Sequence, residues 1–235
     1  MNSLLSELTR RFSATKARFI FLGDLVDRGM AGSKTMDALV EFFEYRPASA
    51  LILGNHDEYL LKCFQGTLDV NEGRKWLWNG GDTTLASYGF HDRFTITELK
   101  STLNKSDPSH RLLLERAVPM VLTDRYCFVH AGIDPNVPLD QQDGRTTRWI
   151  RDGFLDYPDL FEKVVVHGHS ITQTGLPEVR PNRIAIDTGS YQTGRISAAV
   201  FEEDDLAGFI CAEQIGTEIR LRSFNASVRE AELEL

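Results

Sequence analysis

The chain has 235 residues, 42% of them hydrophobic and 26% charged, with a formal net charge of −8. This balance excludes intrinsic disorder and fibrous repeats, and the length fits one domain over residues 1–235, because single cores grow to about 250 residues before chains split. The negative charge argues against a broad basic footprint for duplex nucleic acid while allowing a local phosphate pocket, and no apolar run approaches the ~20 residues of a membrane span.

In chain order, Leu4, Leu5, Leu8 and Phe12 recur at helical spacing, so Asn2–Phe12 is predicted as an amphipathic helix; its charges set it apart from a signal peptide. Arg18–Gly23 and Ala48–Gly54 read as short buried strands ending in glycine. Between them Ser33–Tyr45 is an amphipathic helix with Ser33 as its cap. Glu58–Phe64 and Gly73–Trp78 look helical, Asn79-Gly80-Gly81 reads as a break, and two polar helices fall between Thr95 and Ala117.

After Pro119 the texture changes. Met120–Asp124 and Arg125–His130 suggest a hairpin, and Glu162–His169 carries a third β-branched run that reaches a glycine. Asn182–Gly189, Arg195–Phe201, Gly208–Gln214 and Thr217–Ser223 follow as strands. The expected class is α/β, with two facing mixed β-sheets flanked by helices. Cys63, Cys127 and Cys211 are too scattered for a disulfide framework or a zinc ribbon; Cys127 reads as a core residue, and the reducing cytoplasm is the expected compartment.

Four strands share one grammar, each running into a side chain able to bind metal: Asp24, Asn55, His130 and His169. Ligands in α/β sheets sit beyond strand carboxyl ends, so these tips converge if the strands share a sheet. Oxygen and nitrogen donors of this kind suit Mn²⁺, Fe²⁺ or Zn²⁺. Asp27 and Arg28 follow Asp24 in one short loop, and His56 follows Asn55. A guanidinium there can clamp phosphate oxygens, and a histidine held by a carboxylate can protonate a leaving alkoxide. Taken singly, each has a plainer reading as a helix cap, a turn or a core histidine; it is the repetition that points to phosphoryl transfer to water. His91 and His110 read as surface residues.

Two rivals are weaker. Gly32-Ser-Lys-Thr35 and Asn104-Lys-Ser-Asp107 brush against nucleotide-binding motifs, but no glycine-rich loop leads from a strand into the lysine, and the second segment reads as a loop. Ser190 lacks the elbow of a nucleophilic serine.

Gly23-Asp-Leu-Val-Asp-Arg-Gly29, Gly54-Asn-His-Asp57, His130-Ala-Gly132 and Gly168-His169 together resemble the calcineurin-like metallophosphoesterases, above all the bacterial and phage serine/threonine protein phosphatases and the diadenosine tetraphosphatases. Trp-x-x-Asn-Gly-Gly around Trp76, Trp149-Ile-Arg151 and Ile186-Asp-Thr-Gly189 extend the likeness to about Phe201. The resemblance implies Asp24 as a carboxylate bridging two metals and Asn55, His130 and His169 as further ligands, Asn55 also meeting substrate. It implies His56 as general acid paired with Asp27, and Arg28 and Arg151 as phosphate clamps. His167 and Asp187 are expected to support the site. The implied reaction is in-line hydrolysis by a metal-bound hydroxide, with Mn²⁺ first among the cations and Fe²⁺, Zn²⁺ or Mg²⁺ as options. The implied substrate is a phosphoprotein or, as an alternative, a dinucleoside polyphosphate, chosen within Lys62–Ala117.

The family's opening Gly-Asp-x-His-Gly has no counterpart in Met1–Leu22, which contains neither aspartate nor histidine. The expectation is therefore that the first strand and two ligands of one metal are missing and that hydrolysis is weakened. A start codon lying upstream is the favoured explanation, and a degenerate, non-catalytic phosphate-binding module is the alternative.

Overall fold

The computed structural model describes residues 1–12, 17–91 and 94–226; residues 92 and 93, inside the expected substrate-choosing segment, lie outside them. The chain forms two compact units, one over Arg18–Val118 and one combining Met1–Ala17 with Pro119–Leu235. It opens with α1 (Asn2–Arg11), which buries Leu4 and Leu8.

In the Arg18–Val118 unit, β1 (Ile20–Phe21), α2 (Gly32–Tyr45) and β2 (Ala50–Leu51) form a parallel βαβ unit, the helix supplying the crossover that parallel strands need. Phe42 on the buried face of α2 meets Phe19 and Phe21 edge-on, with centroids 5.1 and 5.2 Å away. Ser33 is not the cap. Ala31 holds that position, while the Ser33 hydroxyl donates to the Ser87 carbonyl at 2.7 Å and its N–H to Ser87 Oγ at 2.9 Å. A tertiary partner has taken the serine that local rules assigned to the helix end.

Next, α3 (Asn55–Gln65) begins directly after Gly54, earlier than the periodicity suggested, and stops at Gly66 in the left-handed conformation. A cap at Asp69 starts α4 (Val70–Trp76). The expected break at Asn79-Gly80-Gly81 is a kink at Gly80, whose φ of 104° is non-helical, and it leads into α5 (Asp82–Ser87). A Thr95–Glu98 capping box starts α6 (Ile96–Ser106), and Pro108 starts α7 (Pro108–Glu115).

Two readings need correction here. Asn104, expected in a loop, lies in the last turn of α6, its amide donating to the carbonyls of Phe64 and Lys100. His110, expected at the surface, is 1% exposed, between the Tyr88 hydroxyl (2.8 Å from Nδ1) and the Asp37 carboxylate (3.0 Å from Nε2). Neither partner is close in sequence. His91 is exposed as expected.

In the other unit, β3 (Met120–Leu122) and β4 (Tyr126–Val129) make the expected hairpin. After α8 (Gly144–Trp149) come β5 (Val164–His167), β6 (Glu178–Val179) and β7 (Arg183–Ala185). The sheet order is β3-β4-β5-β7-β6, with β4, β5 and β7 parallel and both edge strands antiparallel. A short α9 (Ser190–Thr193) precedes an antiparallel sheet of β8 (Arg195–Glu202), β9 (Asp205–Ile215) and β10 (Glu218–Asn225). Phe201 of β8 packs on Tyr126 and Phe128 of β4, centroids 4.6 and 5.5 Å apart. Cys127 is fully buried with Val129, Ile133, Leu139, Phe154 and Val165. The class is α/β with mixed sheets. The four strands with chemically loaded tips pair two by two, β1 with β2 and β4 with β5. Among the described residues, no helix is long and apolar enough to cross a membrane.

Candidate active site

In the Arg18–Val118 unit, the loop after β1 carries Asp24, Asp27 and Arg28, all at positive φ (55°, 77° and 62°). A non-glycine residue in that region costs roughly 1–2 kcal/mol, so the loop persists only because its surroundings dictate it. Asp57, fully buried in α3, accepts the N–H groups of Asp24 and Leu25 at 2.8 Å and of Gly54 at 3.0 Å. The N–H of His56 donates to Asp24 Oδ1 at 3.2 Å. The glycines ending the two strand segments make this closeness possible, because a Cβ on Gly54 would lie 2.3 Å from the Asp24 nitrogen and one on Gly23 2.4 Å from that of Gly54.

Asn55 and His56 open α3, 3% and 6% exposed. The ring of His56 bonds through Nδ1 to Asp27 Oδ2. That oxygen also accepts the Trp76 indole N–H at 2.7 Å, and the Thr84 hydroxyl donates to Asp27 Oδ1 at 2.5 Å. Burial disfavours protonation of His56, but the hydrogen bond to Asp27 and the charges of Asp24 and Asp27 outweigh it, leaving the imidazole above its ordinary range. Arg28 is exposed, its backbone N–H fixed to the Gly80 carbonyl at 3.1 Å. Two residues from that carbonyl, Trp78 is 91% exposed.

In the other unit, β4 and β5 lie side by side, so the residues just past them meet. His130 and His169 are 1% and 8% exposed, with ring centroids 5.1 Å apart. The Gly168 N–H donates to the His130 carbonyl at 2.8 Å, and His169 turns at φ 63°. Arg151 donates through Nη2 to the His169 carbonyl at 3.2 Å. His167 points into the interior, fully buried against Phe154 with ring centroids 5.0 Å apart; burial lowers its pKa to about 4. Asp187 Oδ1 accepts the Gly189 N–H at 2.9 Å.

As donors, Asp24 and Asn55 offer oxygens and His130 and His169 offer imidazole nitrogens, the chemistry a divalent transition metal takes. Trp76 and Thr84 are the neighbours that sequence reasoning missed as parts of the site. The only available signal was Trp76 within Trp-x-x-Asn-Gly-Gly; Thr84 carried none. Among the described residues, five non-glycine positions have positive φ, and four of these are Asp24, Asp27, Arg28 and His169.

Residues 3–205 match the calcineurin-like phosphoesterase family. The serine/threonine-protein phosphatase 2 of Salmonella typhimurium is 29% identical over 204 residues, 83% of this chain and 84% of that protein. The symmetrical bis(5'-nucleosyl)-tetraphosphatase of Methylococcus capsulatus is 32% identical over 164 residues, 64% of this chain; the match spans 50% of that relative's length. The asymmetrical bis(5'-nucleosyl)-tetraphosphatase PrpE of Bacillus anthracis is 24% identical over 204 residues, 79% of this chain and 76% of that protein.

Proposed function

The chain belongs to the calcineurin-like phosphoesterase family, and we propose that it is a metal-dependent phosphoric ester hydrolase. The observation that carries this reading is the buried pair of His56 and Asp27, set in a strained loop beside the exposed Arg28. Asp24, Asn55, His130 and His169 would hold divalent metal, with Mn²⁺ the first candidate. When bound, such a cation supplies Lewis-acid polarisation of phosphoryl oxygens and acidifies water.

The chain's own residues do the rest. Arg28 and Arg151 bind the equatorial phosphoryl oxygens with fixed, fully charged donors, and Asn55 orients the ester. Asp27 holds His56 through Nδ1, leaving Nε2 to pass a proton to the departing oxygen. The fit of residue types to family positions supports this division of roles. The three cysteines are free and buried, in keeping with a reducing compartment such as the cytoplasm.

For substrate, a phosphoserine or phosphothreonine protein is the first reading, supported by the 84% of the Salmonella phosphatase that the match spans. A dinucleoside tetraphosphate is the second, favoured by the bare indole of Trp78 (91% exposed), a surface on which a base can stack. Turnover of a phosphoserine peptide and of a dinucleoside tetraphosphate, each with Mn²⁺, separates them. On the second reading Trp78→Ala raises KM for the dinucleotide alone. His56→Ala should lower turnover of phenyl phosphate, whose leaving oxygen needs a proton, by about 10²–10⁴ while metal content stays near that of the parent. Loss of metal in step with activity would remove His56 from its assigned role, and tight phosphopeptide binding without turnover would make the chain a binding module.

A further inference from the structure

We propose that Trp76 and Thr84 are positioning residues for His56 and Asp27, and that the kink at Gly80 between them lets both reach Asp27. The proposal rests on the hydrolase reading above. The Asp27 side chain is 1% exposed and takes donors on both oxygens: His56 Nδ1 and Trp76 Nε1 on Oδ2, Thr84 Oγ1 on Oδ1. Thr84 also accepts the Asp27 backbone N–H at 2.8 Å. One hydroxyl therefore pins both the main chain and the carboxylate of a residue held at φ 77°.

Trp76 is suited to the other oxygen. Its indole has a single N–H and no acceptor, is 1% exposed, and is stacked by Tyr59 at 6.0 Å with rings 17° from parallel. The glycines of Asn79-Gly80-Gly81 provide clearance. A Cβ on Gly81 would lie 2.4 Å from the Trp76 ring, and one on Gly80, at φ 104°, 2.6 Å from the Arg28 side chain. With both oxygens held, the carboxylate plane is set, the Nδ1–H tautomer of His56 is favoured, and Nε2 keeps one direction. Without either donor the carboxylate can swing and the imidazole follows.

The test uses the full chain with Mn²⁺ and three variants, Trp76→Phe, Thr84→Val and Thr84→Ser. The first readout is kcat on phenyl phosphate, whose leaving group needs a proton, against p-nitrophenyl phosphate, whose leaving group needs one far less. Trp76→Phe and Thr84→Val should each lower kcat for the phenyl ester on the order of tenfold with KM unchanged, and affect the nitrophenyl ester much less. Thr84→Ser should restore the parent ratio. The second readout is the ¹⁵N spectrum of the His56 ring, which should shift from the Nδ1–H tautomer toward a mixture in Trp76→Phe and Thr84→Val. Equal losses on both esters with an unmoved tautomer reduce Trp76 and Thr84 to packing and overturn the proposal. If the parent chain hydrolyses neither ester, the hydrolase reading fails, and the tautomer alone decides: unmoved, it overturns the positioning role as well.

Discussion

Asp57 touches no substrate in the proposed chemistry, yet the loop bearing Asp24 depends on it. Its carboxylate collects three backbone N–H groups, from Asp24, Leu25 and Gly54. Each would cost about 1–3 kcal/mol if left buried and unmatched. Asp57→Ala is therefore expected to lower the urea midpoint well beyond an ordinary surface change and to weaken Mn²⁺ binding with it; an unaltered midpoint would show that the loop holds itself. Arg28 sits at the opposite extreme, exposed and charged. Arg28→Ala should raise KM and slow turnover while stability stays put, and kinetics identical to the parent would take Arg28 out of the site. Residues of this kind announce themselves in the motif. His110 does not, because its burial comes from Tyr88 and Asp37, 22 and 73 residues away in the chain. Nor does Thr84, which meets Asp27 across 57 residues.

Between elements, the two segments that leave β1 and β2 meet closely. Gly54 has an ordinary φ of −83°, so alanine there carries no backbone penalty of its own, yet its Cβ would fall 2.3 Å from the Asp24 nitrogen and 2.4 Å from Asp24 Oδ1. Gly54→Ala should destabilise by about 1–3 kcal/mol or more, as overpacking does, and shift Asp24. Gly89 makes the control: it is left-handed at φ 86° with nothing within 4 Å of a Cβ, so Gly89→Ala should cost only the roughly 1–2 kcal/mol of backbone strain. Thermal melts of the pair separate contact from conformation. The strands and most helices were readable from alternation and 3.6-residue spacing, both local properties. The break at Gly80 was legible too, in Asn79-Gly80-Gly81, whereas the start of α3 at Asn55 was not, since it is set by what the helix end must reach.

For the molecule as a whole, bound metal should act as a stabilising ligand. Cation at 100 times its dissociation constant adds about 2.7 kcal/mol, so Mn²⁺ should raise the melting temperature, a chelator should reverse the rise, and Asp24→Asn or His169→Ala should remove most of it. A melting temperature indifferent to Mn²⁺ would defeat the ligand assignment independently of any assay of turnover. The α/β class, much of the succession of elements and the family motifs were present in the amino-acid order, because they follow from hydropathy, glycine placement and short motifs acting over a few residues. Tertiary structure alone decided that β1–β2 and β4–β5 form separate ladders, that His110 is interior and Ser33 tied to Ser87, and that Trp76 and Thr84 close on Asp27. These outcomes depend on contacts between residues tens of positions apart, where the free energy of burial and hydrogen bonding outweighs local preference and no spacing in the sequence records the partner.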